Sequence, residues 1–174
     1  MIHSAFIAYG SNLWLDKNSP PKVLLARAIA HLCENSDIEL IERSRHYRSA
    51  PVPPSNQPWY VNGILLVKTK LSPEQLLAYM LEVETFFGRI RGRKNAARTL
   101  DFDLIAYDNI VLNKERLILP HPRMHLRAFV LCPMAEIAPQ WCHPKLNKSI
   151  RQLIDALQED EKDCQPILND EPPS

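Results

Sequence analysis

The sequence predicts an α+β fold, a βαββαβ core followed by a C-terminal hairpin and further helices. Three observations predict it. Runs rich in branched and aromatic residues alternate with two apolar-striped helical stretches, both helices open on proline-containing cap signatures, and the first six elements run β-α-β-β-α-β. At 174 residues, 45% hydrophobic and 24% charged, the chain has the length and composition of one globular domain.

The first strand is expected near 5–9, closed by Gly10-Ser11-Asn12. A helix follows over about 21–33, started by Ser19-Pro20-Pro21 and striped by Leu25, Ile29 and Leu32. The next strand, about 38–48, carries Tyr47 and leads into a proline loop at 51–54. Aromatic and branched residues over 59–69 make the third strand. Ser72-Pro73-Glu74-Gln75 combines an N-cap, a first-turn proline and a capping-box glutamine. Its helix is striped by Leu76, Leu77, Met80, Leu81 and Phe87 and ends at Gly88, with Glu84 either at the mouth of a site or at the edge of that stripe. A fourth strand over 99–107 precedes a hairpin through 117–119, then helices over about 125–137 and 147–158. This order is that of the ferredoxin-like arrangement, which hosts many activities, so function has to be argued from the site. Residues 1–158 are expected to form a single domain and 159–174 an acidic tail.

Composition excludes several classes. No run of about 18 apolar residues occurs, and the N-terminus lacks the charged and apolar regions of a secretory signal, so a cytoplasmic protein without a membrane partner is expected. The four cysteines show no CxxC spacing and are expected as reduced thiols. Only 4 glycines accompany 15 prolines, and neither GxxxxGK[ST] nor GxGxxG is present. Phosphates, if bound, must be held by side chains and metal.

Net charge is +1 but unevenly spread: residues 155–174 hold seven acids against one base, and the rest hold 20 Lys and Arg against 13 Asp and Glu. Between Glu84 and Asp101 lie Arg89, Arg91, Arg93, Lys94 and Arg98 with no acid among them, a cationic loop suited either to solvent or to an anionic ligand. Directly after it, Arg98-Thr99-Leu100-Asp101-Phe102-Asp103-Leu104 places Asp101 and Asp103 on one strand face, together with Ile105 and Tyr107. By itself the pair fits solvated edge aspartates as well as a metal site. Beside five cations, two hard-oxygen ligands point to a metal-bound nucleoside triphosphate, with two magnesium ions. On the third strand Tyr60 and Asn62 share a face. Such a pair either stacks and reads a planar heterocycle or simply packs a strand end. In Pro120-His121-Pro122-Arg123-Met124-His125 the two histidines lack the HExxH context of a zinc site, and His121 and Arg127 read better as phosphate donors, with Phe129 as a second stacking ring. No RNP1-like aromatic strand is present, so no nucleic-acid partner is expected.

Taken together, Gly10-Ser11-Asn12-Leu13, Tyr47-Arg48, Gln57-Pro58-Trp59-Tyr60-Val61-Asn62, Gly88-Arg89-Ile90-Arg91, the strand from Arg98 to Leu104, Pro120-His121-Pro122, Arg127-Ala128-Phe129, Pro133 and Glu136-Ile137-Ala138-Pro139 resemble the 6-hydroxymethyl-7,8-dihydropterin pyrophosphokinase family. The resemblance implies transfer of the diphosphate of ATP to the hydroxymethyl group of the dihydropterin, releasing AMP, in folate biosynthesis. It implies catalytic roles for Arg89, Arg98, Asp101 and Asp103, with magnesium on the two aspartates. Arg91, Leu104, Arg116, His121 and Arg127 would contact the nucleotide, while Ser49, Ala50, Val52, Tyr60, Asn62 and Phe129 would form the pterin pocket. Small-molecule substrates and a monomer are expected. The chain departs from the family pattern in having Ala96-Ala97 before Arg98 instead of Gly-Pro, Phe102 between the aspartates, and a shorter basic loop without tryptophan.

Overall fold

The computed structural model describes residues 1–12, 20–51, 53–88, 100–158 and 164–167. Its centre is β1 (His3–Ser11), flanked antiparallel by β4 (Tyr60–Thr69) and β5 (Asp101–Tyr107). On the far side of β4 lie β2 (Ile38–Arg43) and β3 (Tyr47–Ser49), and β10 (Cys164–Pro166) pairs with β3. The sheet therefore runs β10-β3-β4-β1-β5, with β2 also on β4. Two hairpins, β6 (Leu112–Lys114) with β7 (Leu117–Leu119) and β8 (Cys142–His143) with β9 (Lys148–Ser149), stand apart from it.

Period-2 alternation gives the sheet two apolar faces, and each must be covered. Ile7, Tyr9, Leu65, Val67, Phe102 and Leu104 meet α1 (Pro21–Leu32) and α2 (Pro73–Phe86). Phe6, Ala8, Ile64 and Ala106 meet α3 (Ala128–Ile137) and α4 (Ile150–Asp155). The product is a mixed α/β protein with one antiparallel sheet between helical layers. The capping box at Ser72 forms as expected, Ser72 Oγ accepting from Gln75 N–H and Gln75 Oε1 from Ser72 N–H, and a second one joins Ser149 and Gln152. Gly88 follows α2 at φ 81°, a left-handed conformation that glycine adopts without a Cβ penalty. No helix of the described residues is long and apolar enough to cross a membrane.

Several elements differ from expectation. The strand foreseen over 38–48 is broken at 44–46 because the Ser44 hydroxyl takes the Ile64 N–H, at 2.9 Å, that a continuing backbone carbonyl would take. The helix foreseen from 125 begins at Ala128. Arg127 is extended (φ −126°, ψ 105°) and separates α3 from a 3₁₀ turn at Met124–Leu126. The last helix is shorter than 147–158, since its chain enters through β9 and the Ser149 cap. The first cap, Ser19, lies outside the described residues, and α1 starts directly after Pro20. Within the stretch foreseen as a tail, Cys164–Pro166 join the sheet edge and Ile167 is buried. All four cysteines are free thiols, with Cys142 exposed and the others half-buried. The Cys132 thiol on α3 is lowered to about 7 by its hydrogen bond with Cys164 of β10.

The β1–β5 ladder slips at Ile105: Ile7 faces Leu104 but Phe6 faces Ala106. A bulge of this kind inserts one unpaired residue and reverses the alternation beyond it. Tyr107, expected on the aspartate face, consequently turns to the α1–α2 side, where its hydroxyl donates to the Leu71 carbonyl.

Two outcomes follow from this packing. A Cβ on Gly63 would fall on the Tyr9 phenol that crosses it. Gly63→Ala is thus expected to destabilise by about 1–3 kcal/mol, read from the urea midpoint. His46, edge-on to Tyr9, is lowered from 6.5 to about 4 by burial and by the nearby Arg43 and Lys22 charges. Below pH 6.5 the unfolded chain takes up a proton that the folded chain refuses, so stability falls from 6.5 to 4. His46→Phe should flatten that loss in a Tm-against-pH series and leave Tm near pH 7.5 little changed.

Candidate active site

One row of residues crosses four strands: Tyr47 on β3 faces Asn62 on β4, Asn62 faces Gly10 on β1, and Gly10 faces Asp101 on β5. The next row toward the core pairs Ile64, Ala8 and Asp103. Strand alternation turns both aspartates to the α3 side, as the sequence predicts, and the small residues opposite them leave the surface open. A Cβ on Gly10 would meet Asn62 Oδ1 at 2.8 Å. The bare backbone there lets the Asn62 carboxamide lie flat while its Nδ2 donates to Ser49 Oγ at 2.6 Å.

Above this floor is a cavity of about 420 Å³. Asp101 and Asp103 form one wall; Ser49, Ala50, Tyr60 and Asn62 form the other; Phe129 and Arg127 come from the start of α3. A second cavity of about 240 Å³ opens behind β5, lined by Leu77, Leu104, Arg116 and the β7 residues, and Asp103 and His121 border both. The structure thus divides the sequence-derived residues in two. Of the described residues, those expected near a planar heterocycle share the larger cavity with Asp101 and with Arg127, which was expected at the nucleotide; Leu104 and Arg116 share the smaller, and Asp103 and His121 border both. Arg89, Arg91, Arg98 and Val52 lie outside the described residues, as do Arg93 and Lys94.

The bulge also places His121, whose N–H donates to the Ile105 carbonyl at 2.8 Å. Its Nδ1 accepts from the Arg123 N–H at 3.2 Å, so in the neutral ring Nε2 carries the hydrogen. Burial and the positive charges of Arg127 and Arg123 lower His121 from 6.5 to about 4, against the opposing pull of Asp101. At neutral pH it is an uncharged single donor. Arg127 lies over the Phe129 ring (5.4 Å to the centroid), with Nη1 3.6 Å from Asp103 Oδ2. A partly exposed pair at that distance adds little stability; what it does is place one cation beside the carboxylates.

Asp101 and Asp103 are hard-oxygen donors on one open face, and among the described residues no group of three or more His, Cys, Asp or Glu could enclose an ion. That donor set fits magnesium, which keeps several waters and completes its shell with ligand phosphates. It does not fit a closed zinc site.

Sequence reasoning missed three features. Glu84 is not at the edge of the α2 stripe but buried, and its Oε1 accepts the Phe102 N–H at 2.6 Å, holding the strand between the two aspartates. The signal was there, since a charge inside an apolar stripe needs a partner. Asn12 Nδ2 donates to Gln57 Oε1 and to the Pro58 carbonyl, both at 3.2 Å, tying the cavity's loop to the end of β1. Arg123 also lines the larger cavity, which nothing in its local sequence announced.

Titrating the imidazoles by NMR should show His121 protonating near pH 4 in the ligand-free protein. Arg127→Ala should raise that value, because it removes a repelling cation; an unchanged value would leave burial and Arg123 as the causes.

A family model described as 7,8-dihydro-6-hydroxymethylpterin-pyrophosphokinase (HPPK) matches residues 6–139. The 2-amino-4-hydroxy-6-hydroxymethyldihydropteridine pyrophosphokinase of Synechocystis sp. is 44% identical over 155 residues, covering 89% of this chain and 76% of that protein. The protein of the same name from Haemophilus influenzae is 38% identical over 155 residues, covering 87% of this chain and 94% of its own. In fold, the chain is similar to the crystal structure of Plasmodium falciparum HPPK-DHPS with pteroate, with a TM-score of 0.64 and 13% identity over 88% of this chain and 40% of that longer one. These matches run over most of the chain's length: the chain belongs to the 7,8-dihydro-6-hydroxymethylpterin-pyrophosphokinase family, enzymes that transfer diphosphate in folate biosynthesis.

Proposed function

We propose that the two cavities are the two substrate sites of this reaction and that transfer takes place at their shared border. The observation that carries this is the position of Asp103 and His121, which border both cavities at once. The larger cavity would take the dihydropterin, its ring between Tyr60 and Phe129 and its edge against Asn62, Ser49 and Ala50. The smaller would take the nucleotide of ATP, beside Leu104 and Arg116. The hydroxymethyl oxygen then attacks the β-phosphorus in line, the bond to the α-phosphate oxygen breaks, and AMP leaves.

Phosphoryl-group transfer asks the protein mainly for positioning and charge. Two magnesium ions on Asp101 and Asp103 would neutralise the phosphate oxygens. Arg127 adds a positive charge held in place by Phe129 and Asp103, and His121 Nε2 adds a hydrogen-bond donor. A neutral histidine suits the junction, because it donates without competing with metal for the carboxylates. Arg89, Arg91 and Arg98 would bring the remaining cations and Val52 the rest of the pterin border. Counting β2 and β3 as one interrupted strand, the sheet order supports a ferredoxin-like core, and we read the enzyme as a cytoplasmic monomer.

The test is product analysis with magnesium, ATP and 6-hydroxymethyl-7,8-dihydropterin. AMP should rise one-for-one with pterin diphosphate, and ADP in its place would sink the assignment. Asp101→Ala should lower turnover by at least ~10²-fold with Tm unchanged, since a half-exposed carboxylate on an open face contributes little to folding. Retained turnover would mean that the metal site lies elsewhere.

A further inference from the structure

We propose that Glu136 is a positioning residue that sets the separation of the two walls of the larger cavity, and so the fit of the pterin ring; the proposal rests on the functional reading above. Glu136 lies in the last turns of α3, outside both cavities. Its Oε1 accepts the Arg45 N–H at 2.8 Å, and its Oε2 accepts Arg45 Nε at 3.0 Å and the Tyr47 hydroxyl at 2.7 Å. Three donors from the β2–β3 segment thus converge on one carboxylate of α3. Burial alone would push the Glu136 carboxyl up, but these hydrogen bonds outweigh it and hold the group below the usual range. The Tyr47 phenol is driven up by burial and by its bond to Glu136, so it stays a donor.

The leverage comes from what lies on each side. Phe129 and Glu136 are seven residues apart on α3, two turns along the same helix face. Tyr47 and Ser49 are two apart on β3 and share a sheet face. Ser49 in turn holds Asn62, and Tyr60 is its cross-strand partner. Glu136 therefore links the helix that carries one stacking ring to the strand that carries the other ring's neighbours. At the opposite end of α3, Arg127 stands 3.6 Å from Asp103, a looser contact than those of Glu136. Apolar packing holds the middle of α3 to the sheet, and Glu136 fixes the end that faces Arg45 and Tyr47, so its loss would let that end shift relative to β3.

The experiment is steady-state kinetics on Glu136→Ala, Glu136→Gln and Tyr47→Phe, with both substrates varied, plus equilibrium titration with fluorescent 6-hydroxymethylpterin. Glu136→Ala should raise KM for the dihydropterin about 10-fold or more, as expected when a wall shifts by a fraction of an ångström, with KM for ATP within about 2-fold. Glu136→Gln, which keeps one acceptor oxygen, should rescue part of this. Tyr47→Phe should be milder, and its effect non-additive with the Gln variant. The pterin titration should follow the KM values. A purely structural role would lower Tm without separating the two KM values. An unchanged pterin KM, or both rising together, overturns the proposal, and if the Ala variant does not fold, the Gln and Phe variants decide it alone. A wild-type chain that makes no pterin diphosphate overturns the functional reading and this proposal with it.

Discussion

The site depends on a missing side chain. Gly10 stands in the row Tyr47, Asn62, Gly10, Asp101, and because it has no Cβ the Asn62 Oδ1 can lie beside it while Nδ2 donates to Ser49 on the other side of β4. Any larger residue would lift the carboxamide and close the floor between the Ser49–Asn62 wall and the carboxylates. The residues on either side of Gly10 have different chemistry, one a neutral amide, the other a carboxylate. Cross-strand spacing alone, about 5 Å per strand, sets how far apart they stand. The registers that hold this row are the long β1–β4 ladder and the β1–β5 ladder, both anchored by apolar burial on the opposite face.

The bulge at Ile105 is the second constraint. It lets Leu104 face the α1–α2 core while Ile105 and Ala106 face α3, and the Ile105 carbonyl, freed from regular pairing, receives His121. Without the extra residue, Tyr107 would lie on the aspartate side and its bond to Leu71 could not form. The same irregularity therefore closes the core at one end and places the junction histidine at the other. Glu84 supports the strand from beneath through the Phe102 amide, so the backbone between the aspartates is held from the face opposite to the one they present.

Electrostatically the centre is balanced by position more than by strong pairs. Arg127 approaches Asp103 without a tight salt bridge, and burial and neighbouring cations keep His121 neutral. On the proposed reading, such a site would keep its carboxylates available to a metal-bound polyphosphate. Phosphate charge arriving there would meet the Arg127 cation, while the neutral His121 would contribute a hydrogen-bond donor.

Local patterns made much of this legible from sequence alone. The capping box at Ser72 and Gln75, the apolar stripes of α1 and α2, the strand ending at Thr69 and the shared face of Asp101 and Asp103 are short-range properties, decided by the helical and strand periods. Tyr60, Asn62 and Phe129 were recognisable as residue types, although nothing in their spacing could bring them to one cavity. Other features arise only when distant segments meet. The break at Ser44 needs the Ile64 amide, the bulge at Ile105 needs β1, the burial of Glu84 needs Phe102, and the seating of residues 164–167 needs β3. Each is a hydrogen bond or a register between residues far apart in the chain. Sequence therefore determined which elements form and which chemistry they carry. Tertiary structure decided which faces meet, because a backbone group's partner across a sheet is set by pairing and burial and not by its own neighbours.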